Sequence, residues 1–234
     1  MSVVAASKDF IGFLRNPQFI TESDDSLEFA TLTLLYLFIF FLIIVVSSPL
    51  MILVGVNDMQ HSIDTLMDSI SIWGFFFLTV IGAPIIEELI FRWHLRRPLA
   101  LIFIICLAFS AGVGYLFVVD FLNLLQAGII IGFFIALGLL LMYSREVRTS
   151  LDRFYRKHFG ILFYLTVIIF AGVHLSNFSE LDNLYVAPIL ILPQAMVALF
   201  LGYVRMKKNI LWSIYFHAFH NMIPISLFLL APTE

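Results

Sequence analysis

Long apolar stretches with few polar interruptions dominate the pattern of this 234-residue chain. A helix that crosses the hydrocarbon core of a bilayer needs about 20 mostly apolar residues. The short alternating segments typical of a transmembrane barrel are absent from the sequence. The pattern therefore predicts an all-α fold, a polytopic transmembrane helical bundle of about seven spans, at residues 29–54, 70–91, 99–119, 124–143, 159–178, 184–204 and 210–230.

Composition supports the membrane prediction. The chain is 62% hydrophobic and only 12% charged, whereas soluble domains are about half apolar and a quarter charged. These values exclude a water-soluble globule and a disordered chain. A net charge of −3 and the lack of a basic stripe argue against a nucleic-acid partner. The lone Cys106 excludes a disulfide framework and a thiolate metal cluster.

The distribution of charge predicts the orientation. All 13 basic residues lie before the first span or after the second, fourth and sixth spans. In a seven-span arrangement they share one face, which the positive-inside rule places in the cytoplasm together with the N-terminus. Residues 1–28 are expected to be a cytoplasmic or interfacial segment. The opposite face holds acidic residues and no Lys or Arg: Asp58, Asp64, Asp68, Asp120, Glu180, Asp182 and Glu234.

Ionisable residues inside apolar spans are functional candidates, because a charge at a helix centre costs about 2.5–3.5 kcal/mol. The second span carries Glu87, Glu88 and Arg92. Glu88 and Arg92 have the i, i+4 spacing that favours an ion pair. Glu87 points about 100° away and lacks that partner, which suits a general base. Alternatively, both acids reach the cytoplasmic interface and pair with arginines there.

Two further polar groups lie in later spans. His174 comes late in the fifth span, and His217 and Asn221 share one face of the seventh. His217 and Asn221 can donate hydrogen bonds to a developing oxyanion. Taken singly, each group is also consistent with hydrogen bonds between packed helices. Together with Glu87 they form a water-activating hydrolytic set, and they also resemble a His/Glu metal-ligand set without an HExxH motif.

These residues resemble the CAAX protease and bacteriocin-processing family of intramembrane proteases, also called the Abi family. The family pattern EExxxR, FxxxH and HxxxN is matched in order at residues 87–92, 170–174 and 217–221. The resemblance covers roughly residues 80–225 and implies a protease-like core over about 70–230 of a transmembrane bundle at 29–234. It implies the following roles: Glu87 and His174 activate water, His217 and Asn221 stabilise the oxyanion, and Glu88 and Arg92 support the site.

One departure from the family concerns spacing. The first two motifs usually sit on neighbouring helices, but here two extra spans separate them, which an inserted helical hairpin explains. Within that hairpin, Gly128 and Gly132 form a GxxxG pair that predicts close packing against another helix. At 1.5 Å per residue, Glu87, His217 and His174 lie about 15, 12 and 20 Å from the inner surface, so the helices must tilt for these groups to meet.

The resemblance implies an intramembrane endopeptidase that cleaves a peptide or membrane-protein substrate in the bilayer. Its cofactor is open, either a divalent metal such as Zn²⁺ held by Glu87, His174 and His217, or none. The expected location is a bacterial plasma (inner) membrane, with the site accessible from the cytoplasm. Three alternatives remain: a non-catalytic immunity or scaffold protein of the same family, a proton-coupled transporter that uses these residues as a relay, and a haem protein with two axial histidines.

Overall fold

The computed structural model describes residues 1–55, 69–119, 121–178 and 184–230. For residues 184 and 228–230 it describes the backbone alone. Within these ranges the chain is helical and has no β-strand, which confirms the predicted all-α class. Short 3₁₀ turns lie at His174–Asn177 and Leu184–Val186. The helices are α1 (Val3–Arg15), α2 (Phe29–Leu53), α3 (Ile72–Phe77), α4 (Ala83–Phe91), α5 (Trp93–Arg96), α6 (Ala100–Val118), α7 (Leu124–Tyr143), α8 (Arg145–Val173), α9 (Ala187–Leu190), α10 (Leu192–Lys207) and α11 (Ile210–Leu230).

Several helices of the described chain are long and apolar enough to cross a membrane, which supports a polytopic membrane protein. α10 is not among them, since its 16 residues fall short of the about 20 that cross a bilayer. The count of seven spans and the cytoplasmic N-terminus stay predictions, and the seven acidic residues assigned to the opposite face lie outside the described residues. The five candidate spans are Phe29–Leu53, Ile72–Phe91, Ala100–Val118, Leu124–Tyr143 and Arg145–Asn177.

The core of the bundle lies where α2, α8, α10 and α11 meet. Phe163, Phe200 and Phe216 are fully buried there, and the rings of Phe200 and Phe216 pack edge to face with centroids 5.4 Å apart. Among the described residues, α6 and α7 contribute nothing to this cluster. They pack mainly on each other beside the bundle. The two extra spans therefore form a peripheral hairpin that leaves the core arrangement intact.

The N-terminal segment packs against the bundle at the end that carries the basic residues. Asp9 on α1 pairs with Lys207 at 2.8 Å, and the guanidinium of Arg156 lies over the ring of Phe19. Arg96 donates to the Thr21 carbonyl. Arg96, Arg156 and Lys207, which follow three different predicted spans, thus all contact the N-terminal segment. We call this end of the molecule the basic end.

The GxxxG prediction is wrong within the described chain, because a Cβ added at Gly128 or Gly132 meets no atom within 4 Å. The close approaches occur at two other glycines. A Cβ at Gly138 would lie 2.6 Å from Cys106 Sγ, and one at Gly202 would lie 2.6 Å from Cε2 of Phe163. The absence of a Cβ is therefore required where Cys106 of α6 packs on α7 and where Phe163 of α8 packs on α10. Gly128 lies on an open face.

Gly202→Ala is expected to lower the free energy of unfolding by about 1–3 kcal/mol, the usual result of overpacking a core. The Phe163 ring has no room to move, since it is fully buried. Gly128→Ala is the matched control, because it adds the same methyl group to a helix where nothing lies within 4 Å. Unfolding in detergent should separate the two variants. Equal stability of both would contradict the close α8–α10 contact.

His94 in α5 is expected to make the stability of the fold sensitive to acid. It is buried beside α8, where Nδ1 lies 2.9 Å from the Tyr155 hydroxyl. Burial lowers the pKa of His94 from 6.5 to about 4. The unfolded chain therefore binds this proton below pH 6.5 while the folded chain does not, so stability falls as the pH drops toward 4.

The expected loss from this one group is about 2 kcal/mol between pH 7 and pH 5. His94→Gln removes the titrating group and should flatten that part of the pH dependence. The measurement is the unfolding free energy of both proteins at the two pH values. An equally steep loss in the variant would show that other groups dominate the acid response.

Candidate active site

The helix that carries the two glutamates is interrupted by a π-helical turn at Leu78–Gly82. The amide of Ala83 bonds to the Leu78 carbonyl, five residues back. In a π turn the carbonyl of each residue accepts from the amide five residues later. For the Thr79 carbonyl that residue is Pro84, which has no N–H. The Thr79 carbonyl therefore has no helical donor and instead accepts a hydrogen bond from Asn221 Nδ2 at 2.9 Å. Such turns are frequent at functional sites.

Glu88 is the centre of a buried polar network and is fully inaccessible. Its Oε1 accepts from Arg92 Nη1 at 2.7 Å, which is the predicted i, i+4 ion pair. The same oxygen lies 2.9 Å from His217 Nδ1, and Oε2 accepts from the Ser213 hydroxyl. Because a buried charge must be paired and hydrogen-bonded, these three partners hold Glu88 as a carboxylate.

Glu87 lies on the other side of the helix and faces two imidazoles. Its Oε2 is 3.8 Å from His174 Nε2 and 3.7 Å from His217 Nε2. This oxygen is buried and has no hydrogen-bond partner among the described residues. Both separations are too long for a direct hydrogen bond and suit one bridging water. We call Glu87, His174 and His217 the catalytic cluster, after the role that we propose for them below.

The hydrogen bond at Nδ1 of each ring determines which nitrogen of His174 and His217 carries the proton. His174 Nδ1 lies 2.7 Å from the Phe170 carbonyl, which can only accept, so Nδ1 carries a proton. His217 Nδ1 likewise faces the Glu88 carboxylate. In their neutral forms both rings therefore point an Nε2 lone pair at Glu87. A proton donor such as water would fit between the Glu87 carboxylate and these ring nitrogens.

Counting along straight helices places Glu87, His217 and His174 at three different depths, but in the fold they lie together. The backbone of α8 is kinked at His158, whose φ of −115° and ψ of 18° are non-helical. The second span is also irregular, since it contains the π turn and breaks at Arg92 between α4 and α5. Glu87, His174 and His217 meet although simple counting along straight helices separates them, and the real helices are not straight.

Two residues with direct contacts to the site received no role in the sequence analysis. Ser213 donates to Glu88. Phe170 supplies the carbonyl for His174, and its ring lies 3.8 Å from the Arg92 guanidinium carbon. Each precedes a predicted histidine by one helical turn, and that i, i+4 spacing is the signal that could have identified them. His220, by contrast, bonds to the Tyr36 hydroxyl at 2.9 Å and not to the cluster.

Metal binding by Glu87, His174 and His217 is not supported by the described geometry. Two ligands of a tetrahedral zinc ion, each about 2.0–2.2 Å from the metal, lie about 3.4 Å apart. The separations from Glu87 Oε2 are wider, at 3.8 and 3.7 Å. Within the described ranges, no group of three or more His, Cys, Asp or Glu side chains is arranged to hold a metal ion.

Part of the chain that includes these residues matches a family of known proteins. The model of a family described as Type II CAAX prenyl endopeptidase Rce1-like matches residues 69–223. That range contains both glutamates, both cluster histidines and Asn221, and it leaves out α1 and α2. No curated protein and no solved structure matches the chain.

Proposed function

Since the chain belongs to the type II CAAX prenyl endopeptidase Rce1-like family, we propose that it is an intramembrane endopeptidase that hydrolyses a peptide bond with water activated by Glu87 and His174. The observation that carries this proposal is the convergence of Glu87 Oε2 with two imidazole Nε2 atoms at 3.8 and 3.7 Å. A water between Glu87 and His174 can donate one proton to each of them, which leaves its lone pairs free for attack.

In the first step the water oxygen attacks the scissile carbonyl carbon, and its proton passes to Glu87. The Glu87 oxygen has no competing hydrogen bond among the described residues, so it is free to accept that proton. His174 holds the water through Nε2, because its Nδ1 proton is committed to Phe170. The second step returns a proton to the leaving amine as the C–N bond breaks, which yields a carboxylate and an amine.

His217 and Asn221 would stabilise the oxyanion formed between these steps. A neutral His217 with its proton on Nδ1 cannot donate from Nε2, so this role requires the imidazolium form. The Glu88 carboxylate, 2.9 Å from Nδ1, would accept the Nδ1 hydrogen bond of that form. Asn221 uses one N–H on Thr79 and has a second to offer. Glu88 and Arg92 thus act as positioning residues.

The domain organisation and location follow from the same proposal. Residues 70–230 would form the protease core within the transmembrane bundle at 29–234, and residues 1–28 a cytoplasmic or interfacial segment. The basic end would face the cytoplasm of a bacterial cell, with the protein in the plasma (inner) membrane. The partners would be the lipid bilayer and a peptide or membrane-protein substrate.

The test is cleavage of a farnesylated peptide that ends in a CAAX sequence by the purified full chain in liposomes. Such a peptide is the probe that the family description indicates. An unprenylated peptide of the same sequence and a single-span membrane protein serve as further substrates. Cleavage of any of these with one defined product would support the endopeptidase. The absence of cleavage of all three by folded protein would oppose it.

A further inference from the structure

A polar cavity of about 410 Å³ lies at the basic end, between α8 and the link that joins α1 to α2. Its size falls within the range of about 300–1,000 Å³ that is typical of small-molecule sites. Gly160 of α8 is part of its wall and lies 14 residues before His174, about 21 Å along the helix. The cavity is therefore separate from the catalytic cluster. Two basic and two amide side chains line it, namely Arg156, Lys157, Asn16 and Gln18.

Contacts within the chain hold the walls of this cavity in place. Phe159 is buried, and its ring packs edge to face on Phe19 with centroids 5.8 Å apart. The guanidinium of Arg156 lies 4.8 Å from the centre of the same Phe19 ring. The link runs close along α8, since a Cβ added at Gly160 would lie 3.8 Å from the Pro17 carbonyl oxygen. Such a preformed cavity lowers the cost of binding a ligand.

The charges at the cavity favour an anion. Arg156 donates from Nε to Asp152 at 2.8 Å, which leaves both Nη groups of the guanidinium for a ligand. Lys157 adds a second positive charge to the wall. Asp152 offsets one of these two charges, so one positive charge stays uncompensated. A phosphodiester carries the matching single negative charge, and Arg and Lys are the side chains that bind phosphate most often.

The cavity also lies at the level that lipid headgroups occupy. In α8, residues 145–157 include seven charged side chains and residues 159–173 include none. The kink at His158 separates these two parts of a candidate span. Because charged side chains are costly in hydrocarbon, this boundary marks the border between water and the membrane core. Residues from both sides of the boundary line the cavity.

An apolar stripe leads away from the cavity along the outside of α8. Ile161, Tyr164 and Ile168 are 69%, 38% and 63% exposed, and their i, i+3 and i, i+4 spacing places them on one helix face. The Tyr164 hydroxyl donates to the Leu14 carbonyl, which keeps the start of this stripe beside the link. An acyl chain can lie along the stripe, whereas a soluble phosphate gains nothing from it.

We propose that this cavity binds the headgroup of an anionic phospholipid, with the phosphate on Arg156 and Lys157 and an acyl chain along the outer face of α8. The amides of Asn16 and Gln18 would bond to the hydroxyl groups of a polyol headgroup such as glycerol. Basic pockets of this kind, at the ends of spanning helices, bind anionic headgroups. The proposal is independent of the proposed hydrolytic function, since the cavity is remote from the catalytic cluster.

The test is binding of phosphatidylglycerol, which carries one negative charge, to the purified full chain in neutral detergent. Native mass spectrometry counts the bound lipid, and we expect one tightly bound molecule per chain. Arg156→Gln and Lys157→Gln should each raise its Kd about fivefold, the usual effect of one basic residue near a membrane surface. Arg153→Gln is the matched control, because it removes the same charge from the same stretch of α8 but does not line the cavity. Its Kd should stay unchanged.

Two further measurements separate a lost site from a damaged fold. Lys157 is exposed, and K157Q leaves the Arg156–Asp152 pair intact, so this variant should unfold at the same temperature as the unchanged protein in lipid-free detergent. Lys157→Arg keeps the charge and should retain the affinity for phosphatidylglycerol. Loss of affinity in K157R as well as in K157Q would contradict a contact that depends on charge.

Other phosphates decide the source of the ligand. Phosphatidylcholine should bind more weakly than phosphatidylglycerol, because the positive charge of choline opposes the basic wall. An excess of inorganic phosphate or glycerol 3-phosphate should not displace the bound lipid. Equal losses in R153Q, R156Q and K157Q would show general attraction to the basic end and overturn the proposal. Equal affinity for phosphatidylcholine, or displacement by a soluble phosphate, would overturn it too. None of these outcomes depends on peptide cleavage, so this proposal and the proposed function can fail separately.

Discussion

Glu87→Gln is expected to lower the rate of peptide cleavage by a factor of about 100 to 10,000, the contribution usual for a general base. The amide keeps the size of the side chain but cannot accept the proton of the attacking water. Glu87 Oε2 has no hydrogen-bond partner among the described residues, so the substitution breaks no observed bond. We therefore expect the loss to appear in kcat and the unfolding free energy to stay unchanged.

The measurement is turnover of the farnesylated peptide by purified variants in liposomes. Glu22→Gln makes the same chemical change at an exposed position outside the spans, and it should retain full activity. Retained cleavage by E87Q would remove Glu87 from the proposed mechanism. A loss of activity together with a loss of folded protein would show that Glu87 acts on structure instead.

Glu88→Gln is expected to lower the free energy of unfolding strongly, whereas Glu87→Gln should leave it unchanged. It leaves the guanidinium of Arg92 charged and 1% exposed without its carboxylate. Removing one partner of a buried ion pair costs about 3–5 kcal/mol. The change also removes the charged acceptor of His217 and Ser213, so activity should fall as well.

The chain contains a matched control for this prediction. Asp152 and Arg156 form an ion pair with the same i, i+4 spacing, at 2.8 Å, but with side chains 47% and 52% exposed. Exposed pairs contribute about 0.2–1 kcal/mol, so Asp152→Asn should change the unfolding free energy little. Unfolding of both variants in detergent tests the difference. Equal losses would contradict the buried state of the Glu88–Arg92 pair.

Together these variants separate two adjacent carboxylates by their roles. Glu87 faces the cluster and Glu88 faces the network behind it, about 100° apart around one helix. The ion pair of Glu88 with Arg92 was predictable from the sequence, because i, i+4 contacts are local to a helix and need no knowledge of the fold. Their chemical roles are still predictions that these experiments decide.

The sequence also predicted which segments are helical and apolar, since both properties depend on composition over short stretches. It predicted less about what each helix packs against. The glycines at 128 and 132 match a packing motif, yet the close contacts occur at Gly138 and Gly202. A motif states that a close approach is sterically allowed, and the partner helix decides whether it occurs.

By itself, then, the order of residues along the chain determined the all-helical membrane class, the three motifs and the Glu88–Arg92 pair, because each depends on neighbours within about one helical turn. Only the tertiary structure decided that Glu87 meets two imidazoles, that Asn221 bonds to the free Thr79 carbonyl, and that a cavity lies beside His174. These contacts join helices far apart in sequence, and those helices contain the π turn and the kink at His158, whose effect on helix direction no local pattern specifies.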